Sequence, residues 1–100
     1  MSRILRESHE SAKILHEAGY MDDMTMREFD ALCLPPAPTF KAKDVTRIRK
    51  KSRASQGVFA AYLNVSKGTV AAWEQGAKKP NRASNKLLDL VDRKGLDVLA

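Results

Sequence analysis

Apolar residues recur along this chain at the three- and four-residue intervals of helices, and no segment alternates as a half-buried strand does. The first such stretch, residues 2–18, sets Leu5, Ser8, Ala12 and Leu15 on one face with Ile4 and Ile14 flanking it. Ser2 is available as its N-cap and Gly19 as its stop. The stripe is thin and polar in the middle, which suits a helix lying on a surface or pairing with another chain. Thr25-Met26-Arg27-Glu28 then has the form of a capping box, with Met24 and Phe29 placed as a hydrophobic staple. It predicts a short helix from Met26 to about Leu34 that buries Phe29 and Leu32, with Cys33 beside them. Pro35-Pro36-Ala37-Pro38 ends it, because proline cannot donate to a helix and pushes its predecessor towards extended geometry.

Beyond the prolines the helical signals come closer together. Residues 42–53 place Val45 and Ile48 inward and their lysines and arginines outward. Ser55 can cap a helix running to Leu63 that buries Phe59, Ala60 and Leu63. After a turn at Asn64-Val65, Ser66 can cap another from Lys67 to Gln75, with Val70 and Trp73 inside. Gly76 to Pro80 reads as a loop. Asn81 caps a longer helix, Arg82 to Lys94, with Leu87, Leu88, Leu90 and Val91 apolar and Gly95 as its stop, and residues 96–100 add one turn.

Charge divides the chain at the same place. The net charge of +6 is the sum of two unlike parts: residues 1–40 carry four Lys/Arg against seven Asp/Glu, net −3, and residues 41–100 carry fourteen against five, net +9. One hundred residues with 43% hydrophobic content suit one compact domain with an appended arm. The split points to two partners, of which the one for the basic part is a polyanion. The expected organisation is an N-terminal helical arm, residues 1–38, serving dimerisation or partner binding and ending in the Pro-rich linker. A basic domain follows over residues 39–100, of a charge that commonly goes with binding nucleic acid.

Several function classes fit poorly. No apolar run reaches the ~18–20 residues of a membrane span, and the opening MSRILRESHE lacks a signal peptide's apolar stretch, so a cytoplasmic protein is expected. The single Cys33 cannot form an internal disulfide and, between Leu32 and Leu34, reads as a small buried apolar residue. His9 and His16 stand seven apart with Lys13 between them, about 10 Å of helix rise. That is too far for a two-ligand clasp, so they read as solvated histidines and no metal site is expected. There is no HExxH, GxxxxGK[ST] or CxxC, and no nucleophile beside a base; neither an enzyme nor a cofactor is indicated.

Gln56, Ala60, Asn64, Ser66, Val70 and Trp73 carry the strongest pattern, because each spacing has a mechanical reason. Ala60 falls where two helices cross, Asn64 where the turn needs a left-handed backbone, and Val70 and Trp73 where the second helix meets the core. With Ser55-Gln56, Asn64-Val65-Ser66, Trp73-Glu74-Gln75-Gly76 and Lys79-Pro80, residues 42–94 resemble the lambda-repressor-like (Cro/C1, XRE) helix-turn-helix regulators. They depart from them at Asn64, where glycine is usual, and at Gly57. The resemblance implies an all-α, four- or five-helix DNA-binding domain that binds an inverted-repeat operator as a homodimer. Lys67, Gly68, Thr69 and Ala72 would face base edges, and Gln56, Lys79 and Arg82 phosphates or the minor groove. Arg49 would pair with Glu74 to tie the first helix of the domain to the recognition helix.

Thr25 to Asp30, the proline joint and Lys86-Leu87-Leu88-Asp89-Leu90-Val91-Asp92-Arg93-Lys94-Gly95-Leu96 are also similar to antitoxins of RelE/HigB-type ribonuclease toxins. That likeness implies repression of the chain's own promoter and a basic toxin as second partner, for which the acidic arm offers a surface. The alternative is a phage- or host-type repressor with no toxin.

Overall fold

The structure, a computed structural model, describes residues 2–100. Among them it has six α-helices and no strand: α1 (Arg3–Glu17), α2 (Asp23–Leu32), α3 (Ala42–Lys51), α4 (Gln56–Leu63), α5 (Lys67–Gln75) and α6 (Arg82–Lys94), closed by a 3-10 turn, Leu96–Leu99. The chain is therefore all-α. Its contacts gather into two compact units, Met1–Pro36 and Ala37–Ala100.

In the first unit α1 packs on α2. Ser2 caps α1, its side chain accepting from the Leu5 amide. The face turned to α2 is Leu5, His9, Ala12 and His16, one step round from the expected stripe; Ser8 and Leu15 are exposed, as are Ile4 and Ile14. The histidines are not solvated as a pair of lone side chains would be. His9 Nε2 meets Asp30 Oδ1 at 2.8 Å, and His16 Nε2 meets Asp23 Oδ1 at 2.6 Å. Turning this face inward lets two polar rings find carboxylates, and burying them unpaired would cost more than exposing a leucine.

Helix α2 also starts earlier than the capping box implies. Asp22 is the N-cap and its carboxylate accepts from the Thr25 amide at 2.7 Å, while Thr25 lies inside the first turn and Met24 is exposed, so the staple does not form. A carboxylate at the positive end of a helix is a better cap than a hydroxyl three residues on, because it also interacts with the helix dipole. The inward stripe becomes Met26, Phe29, Asp30 and Cys33, and Leu32 falls off it and is exposed. A helix with a single partner can cover only one face.

The second unit encloses a continuous core of Phe40, Val45, Ile48, Phe59, Ala60, Leu63, Val70, Trp73, Leu88 and Val91. Helix α3 packs on α5 and α6, and α4 packs on α5. Ser55, Ser66 and Asn81 cap α4, α5 and α6, each accepting from the backbone amide three residues on. One buried polar residue closes the base. Asn85 Oδ1 accepts from the Phe40 amide and its Nδ2 donates to the Pro80 carbonyl, both at 3.3 Å, so one side chain holds the segment leading into α3 and the loop before α6.

Candidate nucleic-acid interface

The candidate interface is the α4–turn–α5 pair. Asn64 ends α4 with a left-handed backbone (φ 58°, ψ 43°), a conformation that asparagine tolerates better than most residues. Val65 then returns its amide to the Ala60 carbonyl at 3.0 Å, and Ser66 begins α5 immediately. A turn this short fixes the angle between the helices, and Val70 and Trp73 anchor one side of α5 in the core.

The other side of α5 faces solvent. Lys67 and Gly68 are exposed, and Thr69 and Ala72 half-buried. The Thr69 hydroxyl lies 2.8 Å from Ser66 Oγ, within the cap. Gly68 has no need of glycine's backbone freedom; a β-carbon there would meet only Ser66 Oγ, at an ordinary 3.8 Å. Gln56 opens α4 half-buried, and next to it a β-carbon on Gly57 would lie 3.9 Å from Lys67 Cδ, so the first turns of α4 and α5 share one surface. Lys79 and Arg82 are exposed on the loop after α5 and at the start of α6. Among the described residues Lys67, Lys79 and Arg82 enter no ion pair.

Behind this surface stands a charged brace. Arg49 donates Nε to Glu74 Oε2 and Nη2 to Glu74 Oε1, both at 2.9 Å, and its Nη1 donates to the Ala54 carbonyl. Such a two-point bond fixes direction as well as distance. The Arg49 guanidinium holds the Glu74 carboxyl below the usual glutamate range; burial opposes this, and the Thr46 hydroxyl, 2.9 Å from Oε1, assists it. Glu74 in turn raises Arg49. The brace joins α3, the α3–α4 turn and α5, so it sets the orientation at which α5 is presented.

A second charged cluster was not foreseen from sequence. Arg47 donates to both carboxylate oxygens of Asp92 (3.1 and 3.3 Å), and Lys51 Nζ donates to Asp92 Oδ1 at 3.1 Å, joining α3 to α6. These contacts, Arg47 first, lower the Asp92 carboxyl against the effect of burial. The one signal available was that Arg47 and Lys51 stand four apart on α3; nothing local marks Asp92 as their partner.

Over 50 residues, half of this chain, the sequence is 42% identical to antitoxin HigA-2 of Vibrio cholerae serotype O1 (strain ATCC 39315 / El Tor Inaba N16961). This chain resembles a HigA-type antitoxin. It spans about half the length of that relative (48%), so the likeness to HigA-2 is partial. No family model matches the chain. Among the described residues no helix is long and apolar enough to cross a membrane.

Proposed function

We propose that this chain is a sequence-specific DNA-binding regulator that binds an inverted-repeat operator as a homodimer and serves as the antitoxin of a type II toxin-antitoxin pair. In this reading α5 enters the major groove by its first turn. Lys67 donates to guanine O6 or N7, Gly68 permits close approach, and Thr69 and Ala72 offer methyl groups to thymine. With the Thr69 hydroxyl engaged by Ser66, its methyl is the group left for a base. Gln56 and Lys79 take phosphates, and Arg82 a phosphate or the minor groove. The acidic unit Met1–Pro36 holds a RelE/HigB-type ribonuclease toxin, and the chain represses its own promoter. It acts in the cytoplasm by binding, without catalysis, metal or cofactor.

The observation that carries this reading is that Lys67 and Gly68 are exposed at the start of α5 and that Lys67, Lys79 and Arg82, all exposed, enter no ion pair among the described residues. Likeness to an antitoxin over half the chain supports the narrower role. Fluorescence anisotropy tests the first part, with duplexes from the DNA upstream of the chain's own reading frame and with scrambled ones. The expected result is a preference for one inverted repeat, with affinity falling as salt rises. Lys67→Ala should cost about 1–3 kcal/mol on the preferred duplex alone, and Lys79→Ala should reduce the salt slope by about one on every duplex. Equal affinity for scrambled DNA would overturn the reading. For the antitoxin role, the full chain should co-purify with the product of the adjacent reading frame, and a chain lacking residues 1–38 should not.

A further inference from the structure

The loop after α5 and the segment leading into α3 form two walls of a small recess. Gly76 ends α5 with a left-handed backbone (φ 76°), and the Ala77 and Lys78 amides both return to the Ala72 carbonyl, at 2.9 and 3.3 Å. Asn85 fastens both walls, holding the Phe40 amide on one side and the Pro80 carbonyl on the other. The cavity between them has a volume of about 310 Å³. Its lining joins buried Phe40, Trp73 and Pro80 to exposed Lys41, Lys78 and Lys79. That volume lies at the lower end of the roughly 300–1,000 Å³ of small-molecule sites.

The lining is one-sided in charge. Among the described residues no carboxylate lines the cavity, and none of the three lysines enters an ion pair. The Asp44 carboxylate, in the first turn of α3, is taken up by the Lys41 amide at 2.9 Å. Neighbouring cations repel one another, and an anion among them relieves that repulsion. The apolar floor asks for more than a bare phosphate. A nucleic-acid backbone can meet the lysines, but it brings no apolar group to cover Phe40, Trp73 and Pro80.

We propose that this recess binds a small amphipathic anion, a carboxylate or phosphate carried on an aromatic or aliphatic body. The lysine ammonium groups hold the charged head, and the Phe40–Trp73–Pro80 floor takes the body. With both walls pinned through Asn85, the site is formed before a ligand arrives, and little ordering opposes binding. Lys79 also belongs to the phosphate-contacting set proposed above, so an anion held there competes with DNA, and ligand and operator weaken each other by the same factor. This consequence rests on the DNA-binding reading; the binding itself does not.

Trp73 is the one tryptophan of the chain, so its fluorescence reports occupancy. The full chain is titrated with phenyl phosphate and 3-phenylpropionate at fixed ionic strength. Benzyl alcohol, which lacks the charge, and inorganic phosphate, which lacks the body, are run beside them. At least one apolar anion should change the emission saturably, and roughly 10-fold or more tightly than either control. Lys78→Ala should weaken that binding by roughly 10-fold, the loss of one charged contact. Ala42→Leu, which fills the lining without altering charge, should abolish it. Circular dichroism melts verify that the variants fold, and Lys78, being exposed, decides the case in which Ala42→Leu does not. No saturable change below about 10 mM with either apolar anion would overturn the proposal. So would inorganic phosphate binding as tightly as phenyl phosphate, or folded Lys78→Ala or Ala42→Leu binding as the wild type does. The bound anion should also lower affinity for the preferred duplex. An anion that binds while duplex affinity holds keeps the site and removes the competition at Lys79. A chain that binds the anion but prefers no duplex keeps the site, and the DNA-binding reading falls.

Discussion

The two units are both helical, yet they are held together by different means. Ala37–Ala100 encloses ten apolar side chains in one cluster, whereas among the described residues of Met1–Pro36 only Ala12 and Met26 are buried. Beside these few apolar residues, α1 is joined to α2 by polar contacts: His9 with Asp30, His16 with Asp23, and a weak Cys33 thiol contact to the Leu5 carbonyl at 3.9 Å. Apolar burial contributes roughly 1.5–3 kcal/mol for each large side chain, while exposed ion pairs contribute at most about 1. The larger apolar core of the basic unit is accordingly expected to make it the more stable of the two.

The largest test of this contrast is Trp73→Ala. Trp73 is 4% exposed, and its loss should destabilise the basic unit by about 3–5 kcal/mol, enough to abolish a cooperative melt in a domain of this size. A variant that melts normally and only fails on DNA would place the ring on the binding surface instead.

Next comes the brace. Glu74→Gln keeps the shape but removes the charge from a two-point bond, and should cost about 1.5–3 kcal/mol at neutral pH. Because the folded-state pKa of Glu74 is lowered, the unfolded chain takes up its proton first as pH falls. The brace therefore stabilises fully above the ordinary glutamate range and is lost as pH falls from there through the lowered value. Urea titrations across that window should show a shallower acid limb in Glu74→Gln than in the wild type; parallel limbs would show that the brace contributes no pH dependence.

Gly68→Ala should act in the opposite direction on stability. Its backbone is helical and the added methyl meets nothing closer than 3.8 Å, so the melt should rise by about 0.4–1 kcal/mol. Affinity for operator should fall over the same change, because the methyl occupies the space left for a base pair. A gain in stability with affinity intact would remove Gly68 from the contact surface.

Asp30→Asn should have the smallest effect on the basic unit, namely none. His9 is the main reason the Asp30 carboxyl sits below its ordinary range, so the pair's support is present above that range and fades as pH falls through the lowered value. Amide hydrogen exchange should show faster opening of α1 and α2 with rates in α3–α6 unchanged. A change spreading into α3–α6 would mean that the two units fold as one.

Much of this architecture is local and therefore legible in the residues. Ser2, Ser55, Ser66 and Asn81 each cap the helix they precede, because a cap needs only a short polar side chain within reach of an amide three positions on. Asn64 takes its left-handed turn, and Val70 and Trp73 lie inside, for equally local reasons. At the start of α2 two local signals compete, and the Asp22 carboxylate, not Thr25, becomes the cap. Taken one at a time, His9 and His16 look solvated, because neither has a local partner. Their partners Asp23 and Asp30 are also seven apart and pair in reverse order, the register of an antiparallel hairpin, so a reading that compared the two helices had the signal available.

By itself, then, the sequence determined the number and limits of most helices, the helix-turn-helix spacing, and the division of charge between an acidic and a basic part. Those features depend on residues within about four positions of each other or on simple sums. The tertiary structure decided which face of α1 turns inward, that Asp92 gathers Arg47 and Lys51, and that Asn85 holds Phe40 and Pro80. The last two join residues dozens of positions apart. Each of the three depends on which helices meet and in what register, and many candidate partners satisfy the same local chemistry until packing selects one.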